Sequence, residues 1–362
     1  MTVRADTNGA LAPTNAPAEV QVIDVLADAR WRAASPSGPA NSLFCDHRWI
    51  ATIHDVYGFG TDAAVTSHGD GSLRSVLPFS TIEDPRGTRV VSLPFCDFVD
   101  PAVTAADWPA LRDVLGIQRP GAHPVRLATP ATHPATTDPL FDSVIDGVHH
   151  RVPLDRDLPT TWSSYGQLAR RQIRRAERSG IRYRIATDQA TLGGLHQLHV
   201  QVRKHRHHLL AQSFELFEAI KERFIDAGQG WMVVGERDGE LLGGCLMLRS
   251  GDALHYKFSM SSEAGRRDGV SHGAVHAAIA LGYELGSPTF DFGRTDLHAD
   301  GLLQFKRLYR PREIEIATHT ANRRPPTSFD RFLDRLTTTM THPNVPDRLT
   351  ASAGSHFYRY FA

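Results

Sequence analysis

Residues 231–292 read WMVVGERDGELLGGCLMLRSGDALHYKFSMSSEAGRRDGVSHGAVHAAIALGYELGSPTFDF. Their order decides the fold. Residues 231–236 form an apolar run, Asp238-Gly239 is a hairpin turn, and 241–249 is the return strand. Ser250-Gly251-Asp252 turns the chain into a third strand over 254–260. A helix is expected over 270–285 and a strand over 289–292. Because a helix joins the last two strands, they should lie parallel. Three antiparallel strands, a helix and a parallel strand make this an α+β unit.

Working outward, the same order recurs upstream. Strands are expected over 63–67, 73–79 and 89–93, with turns at His68-Gly69-Asp70-Gly71 and Pro85-Arg86-Gly87. A helix over 105–115 and a strand over 124–128 follow. Gly69-Asp70-Gly71-Ser72-Leu73 aligns with Arg237-Asp238-Gly239-Glu240-Leu241 at a shift of 168 residues. The repeated order points to a duplicated domain. Residues 129–160 hold six prolines or glycines and read as the connection between copies. A helix is expected over 46–57, after a turn-like 35–39. The second half opens with a helix over 162–179, stopped by Gly180, a strand over 181–185, and helices over 192–210 and 213–227. The expected division is a disordered leader over 1–18, a first domain over 19–150, a second over 151–322 and a helical tail over 323–362.

The chain has 362 residues, with 40 Lys+Arg against 40 Asp+Glu. A neutral total argues against a protein that coats nucleic acid, and DNA is not an expected partner. At 41% apolar and 22% charged, the composition is that of a globular chain. The charge is uneven. Residues 1–150 carry −7, residues 151–210 carry +8 and the remainder −1. Only four of the basic residues are lysines: Lys204, Lys221, Lys257 and Lys306. The amino terminus lacks the pattern of a signal peptide, and no run is long enough for a membrane helix. Three scattered cysteines argue against a disulfide framework or a Cys-rich zinc site. A cytoplasmic protein is expected.

The strand and helix order resembles the acetyltransferase (GNAT) fold, and three motifs narrow the resemblance. Arg174-Arg175-Ala176-Glu177-Arg178-Ser179-Gly180-Ile181, Phe290-Asp291-Phe292-Gly293-Arg294-Thr295 and Gly301-Leu302-Leu303-Gln304-Phe305-Lys306-Arg307 are similar to Fem-type (FemAB) transferases. Val91-Ser92-Leu93-Pro94-Phe95-Cys96-Asp97 and His356-Phe357-Tyr358-Arg359-Tyr360 also fit. The resemblance covers about residues 20–320. It implies tandem GNAT-like domains, each a mixed, mostly antiparallel sheet flanked by helices. It also implies transfer of an aminoacyl group from a charged tRNA to an amine of a peptidoglycan precursor, peptide or small natural product. No bound cofactor is expected, aminoacyl-tRNA being a co-substrate. An acyl-CoA-dependent N-acyltransferase and a non-catalytic binding protein on the same fold remain alternatives. The long coiled-coil arm of some members is lacking.

Candidate residues follow. Lys306, expected on a short helix, is a candidate to stabilise an oxyanion or hold the tRNA's terminal phosphate, and the resemblance associates the matching lysine with donor binding or catalysis. Asp97 at a strand end is a candidate to accept a proton from the amine or position it, and a turn-capping role is the plainer alternative. Tyr256 is a candidate proton donor. By alternation, either it or Lys257 faces the cleft. Arg294 suits a phosphate or carboxylate, with Asp291 as a structural neighbour. Arg266, Arg267, Ser271 and Gly273 occupy the place of a GNAT pyrophosphate loop without its usual spacing, where the start of a helix favours anions. Arg171, Arg174, Arg175 and Arg178 share one helix face and suit a tRNA backbone, with an ordinary solvated face as the alternative. His196 and His199 lack an acidic partner at metal-ligand spacing, so no metal site is expected. Cys245 reads as core.

Overall fold

The computed structural model describes residues 19–34, 42–100 and 102–362, so the leader and the turn at 35–39 lie outside the described residues. The strands are β1 (Gln21–Asp24), β2 (Asp62–Ser67), β3 (Leu73–Asp84), β4 (Gly87–Val91), β5 (Val125–Pro130), β6 (Asp142–Pro153), β7 (Arg182–Ala186), β8 (Gly230–Arg237), β9 (Glu240–Ser250), β10 (Ala253–Ser261), β11 (Thr289–Asp296) and β12 (Arg312–Ala321). The helices are α1 (Ala29–Ala34), α2 (His47–Tyr57), α3 (Trp108–Val114), α4 (Leu158–Ser164), α5 (Gln167–Arg178), α6 (Gln189–His205), α7 (Phe214–Ile220), α8 (Glu263–Arg267), α9 (Val270–Glu284), α10 (Asp300–Arg307), α11 (Ser328–Met340) and α12 (Asp347–Phe357).

The duplication is present in three dimensions. The order β2-β3-β4-α3-β5 in the first half returns as β8-β9-β10-α8-α9-β11 in the second, with the short α8 added. Each copy has one parallel pair. Val90 and Val91 of β4 face Val125 and Arg126 of β5. Ala253, Leu254 and His255 of β10 face Thr289, Phe290 and Asp291 of β11, after which these two strands part.

All twelve strands form one sheet, in the order β1-β2-β3-β4-β5-β12-β6-β11-β10-β9-β8-β7. The halves trade their closing strands. β6 follows β5 in the chain but pairs with β11, and β12 follows β11 but pairs with β5. β6 and β12 then pair with each other at the centre. The segment read as a connection, 129–160, therefore contains a central strand, and the boundary expected at 150/151 falls inside it. β6 gives a weak strand signal because DSVIDGVHHRVP mixes Asp, Gly and His, and Asp146 is an extra residue that breaks its register against β12.

The helix expected over 162–179 is two helices meeting at Tyr165-Gly166. A Cβ on Gly166 would stand 2.8 Å from Leu308 Cδ2, so the glycine lets α5 begin against the end of α10. α2 is bounded as its sequence suggests. The Asp46 carboxylate accepts from the Arg48 amide at the start, and Gly58 at φ +74° ends it. One apolar core joins the halves, packing Trp31, Trp49 and Val99 with Phe217, Phe224, Met232 and Met260. Among the described residues, no helix is long and apolar enough to cross a membrane.

Candidate active site

Where β10 and β11 part, a narrow cleft opens on the seam between the halves. Phe44, Asp97 and Phe98 of the first half form one wall. His149 and Arg151 of β6, His255, Tyr256 and Lys257 of β10, and Asp291 and Gly293 of β11 form the rest. Ligands in open sheets gather at such strand ends.

Two β-bulges shape this wall. On β10 the register slips between Tyr256 and Phe258, leaving Lys257 as the extra residue. Tyr256 and Lys257 therefore both border the cleft, whereas strict alternation would admit only one. On β11 the slip lies between Asp291 and Gly293, and Gly293 takes φ +73°. A Cβ there would stand 2.7 Å from Asp97 Oδ2, so glycine suits both the backbone and the approach of the first half.

Lys306 lies on α10, 3% exposed. Its ammonium donates to the carbonyls of Gly293, at 3.1 Å, and Arg294, at 3.0 Å. Burial pulls it down to about 8, against Asp97, Asp291 and Asp296, which favour its charge. Lys306 thus reaches the cleft wall through Gly293. Asp97 crosses the seam. Its Oδ2 accepts from the Arg294 amide at 3.3 Å, and its Oδ1 lies 4.0 Å from Lys257 Nζ. The Lys257 ammonium also stands over the rings of Phe44 and Trp49, at 4.5 and 4.8 Å.

The Arg294 guanidinium is engaged by Asp146 at 2.9 Å, Asp296 at 3.0 Å and the Asp97 carbonyl at 3.3 Å. It braces three segments around the cleft. The Tyr256 ring packs edge-on to Phe292, and burial pushes its phenol up. Asp291 is buried beneath. Burial alone would raise its carboxyl, but His149, His255 and Arg151 hold it well below the usual carboxylate range.

The helix stripe is a clean amphipathic arrangement. Ala169, Ile173 and Ala176 of α5 are buried, and Arg171, Arg174, Arg175 and Arg178 on the opposite side are exposed. Arg175 approaches Asp268 at 3.8 Å and Arg174 lies over Trp162. Arg266 and Arg267 are exposed on α8, and Arg267 pairs with Glu263. Asp268 also pairs with Arg237, so this turn sits by the carboxyl-terminal part of α5. The start of α9 is crowded. The Tyr183 hydroxyl fills the space over Gly273, and a Cβ on Gly269 would stand 2.6 Å from the Gln172 carbonyl. Ser271 is half-buried beside them.

His196 and His199 bond the Gln212 carbonyl and side chain at 3.0 and 2.7 Å and pack on Phe217. Among the described residues, no group of three or more His, Cys, Asp or Glu is arranged to hold a metal ion. Cys245 is buried and burial pushes its thiol up. His149, Arg151 and His255 were not singled out from the sequence. The run His149-His150-Arg151 is the available signal for the first two, inside a segment that reads as a linker, whereas His255 lies within an expected strand.

Residues 164–307 match the family model described as an acetyltransferase (GNAT) domain. A search of curated proteins finds no match. Among solved structures, FemX is similar at 15% identity and a TM-score of 0.63, covering 88% of this chain and 99% of that one. L-PGS from Bacillus licheniformis is similar at 13% identity and 0.51, covering 83% and 93%. A tandem GNAT protein from the clavulanic acid biosynthesis pathway is similar at 11% identity and 0.50, covering 85% and 100%. Residues 164–307 thus match the acetyltransferase (GNAT) family model, and the chain as a whole shares the tandem fold of FemX and of the clavulanic acid pathway protein.

Proposed function

We propose that the chain is an acyltransferase of the Fem/GNAT type, moving an aminoacyl group from aminoacyl-tRNA to an amine. The acceptor is a peptidoglycan precursor, a peptide or a small natural product. The observation that carries this reading is the buried ammonium of Lys306, fixed by the Gly293 and Arg294 carbonyls behind a cleft whose lining includes Gly293, Asp97 and Tyr256. A preorganised cation in a water-poor site stabilises negative charge developing on the donor's carbonyl or leaving oxygen. Asp97 attracts and orients the acceptor's ammonium, and Tyr256 supplies a proton donor.

In this reading Arg171, Arg174, Arg175 and Arg178 form a basic track for the donor's phosphates, extended by Arg266 and Arg267. The helix that carries the track starts at Gly166, beside the end of the helix bearing Lys306. Arg294 shapes the donor side of the cleft through its ion pairs. Ser271 and Gly273 sit at the crowded start of α9, Gly273 under the Tyr183 hydroxyl, and are not part of the track. The acyl-CoA alternative calls for a helix start open to a pyrophosphate. α9, the helix at the place of the pyrophosphate loop, starts against Gln172 and Tyr183. This crowding favours tRNA. The nearness of Lys306 and Arg294 to the cleft favours an enzyme over a binding protein.

Equilibrium binding to a radiolabelled aminoacyl-tRNA pool, and separately to acyl-CoAs, tests the donor. Saturable binding of the tRNA is expected. Saturable acyl-CoA binding with none of tRNA would overturn the choice of donor.

A further inference from the structure

Beneath the cleft lies a cluster that the reading above does not use. Asp291 is 1% exposed. Its Oδ1 accepts from the Gly293 amide at 2.8 Å. Its Oδ2 accepts from His149 Nε2 at 2.9 Å and Arg151 Nε at 3.2 Å, and faces His255 Nδ1 at 3.5 Å. A carboxylate so placed draws the imidazole protons onto the nitrogens that face it. The opposite nitrogens, His149 Nδ1 and His255 Nε2, are left as lone pairs. Both are buried and without a hydrogen-bond partner. Arg151 Nε also stands 3.1 Å from His149 Nε2, where the carboxylate is the stronger acceptor for both protons. At His255 the Ser250 backbone carbonyl is a second acceptor beside Asp291, and the side chain is the more open of the two histidines, 11% against 3%.

We propose that His255 Nε2 is the proton acceptor for the incoming amine. Asp291 is a positioning residue that sets the His255 tautomer, and His149 and Arg151 fix Asp291. The proposal rests on the acyl-transfer reading. The charged or titratable groups around His255 are Asp291 on β11 and His149 and Arg151 on β6. Burial pushes His255 below the usual imidazole range, against the pull of Asp291, which keeps the base form present at neutral pH. The acceptor arrives as an ammonium ion. One proton passes to His255 Nε2, and the freed lone pair attacks the donor's acyl carbon. The new C–N bond forms, the ester C–O bond breaks, and the second nitrogen proton goes to the leaving oxygen. His255 returns its proton to solvent.

The test compares full-length wild type with His255→Gln, using two acceptor probes and the donor pools above. Hydroxylamine is largely a free amine at neutral pH and needs no base, whereas ethanolamine is an ammonium ion. The variant is expected to lose about 100-fold in kcat with ethanolamine and only a few-fold with hydroxylamine, with KM little changed. Equal loss on both probes, or loss on neither, overturns the proposal. A wild type inactive with both probes and every donor overturns the acyl-transfer reading, and the role of His255 with it. A measurement on wild type alone guards against a misfolded variant. Nitrogen-15 NMR at neutral pH should find His255 protonated on Nδ1, and protonation on Nε2 would sink the proposal.

Discussion

Lys306 sits where a charge is expensive to keep. Its ammonium is buried and loses water, and two carbonyls only partly replace it. The folded-state value of about 8 lies below the ordinary 10.5. Between those values the unfolded chain binds more protons, so stability should rise with pH through that window. Lys306→Met should flatten this rise, which melting curves from pH 7 to 10 would detect. Activity should run the other way. If the cation serves the reaction, kcat/KM falls as pH rises through about 8. Lys306→Met should lose about 100- to 1,000-fold in kcat while keeping its circular dichroism. A methionine variant of wild-type turnover would remove Lys306 from the site. This residue was legible because lysine is rare in a chain that otherwise uses arginine. Lys257 was as rare and gave half a signal, since alternation allowed only one of Tyr256 and Lys257 into the cleft and the bulge admits both.

At the scale of elements, the bulge on β11 turns its end toward the first half, and Gly293 is where it does so. Gly293→Ala should cost about 1–2 kcal/mol for the left-handed backbone, and more for crowding Asp97. A lowered melting temperature together with lost turnover is the expected outcome, and an unchanged melting point would refute the strain argument. The α5 stripe makes a different kind of prediction. Replacing Arg171, Arg174 and Arg178 together by Gln touches no buried side chain, so stability should hold. Binding of tRNA should weaken, and the slope of log affinity against log salt should shrink by about 2 to 3. An unchanged slope would make the stripe an ordinary solvated face. The hairpins, α2 and α9 were legible from turn residues and apolar runs. β6 was not, because a strand carrying His149, His150 and a bulge at Asp146 lacks alternation. Its role depends on partners far away in the sequence.

At the scale of the molecule, the two copies share a core and exchange strands. Unfolding should therefore be a single transition, the same by tryptophan fluorescence and circular dichroism. Separate expression of 1–155 and 156–362 should give fragments that do not fold alone, because each lacks a neighbour for an interior strand. Fragments that melt cooperatively by themselves would contradict this. The neutral total charge hides a local basic face, and the +8 stretch over 151–210 is the part of the chain that builds α5. The traded strands also limit how the enzyme can breathe. Many two-lobed enzymes admit substrate by swinging like jaws about a flexible neck. Here the neck is a ladder of hydrogen bonds running β5-β12-β6-β11, and opening the jaws would mean tearing it. Entry and exit must then be governed by side chains and loops at the rim, with the two lobes held as one frame throughout turnover.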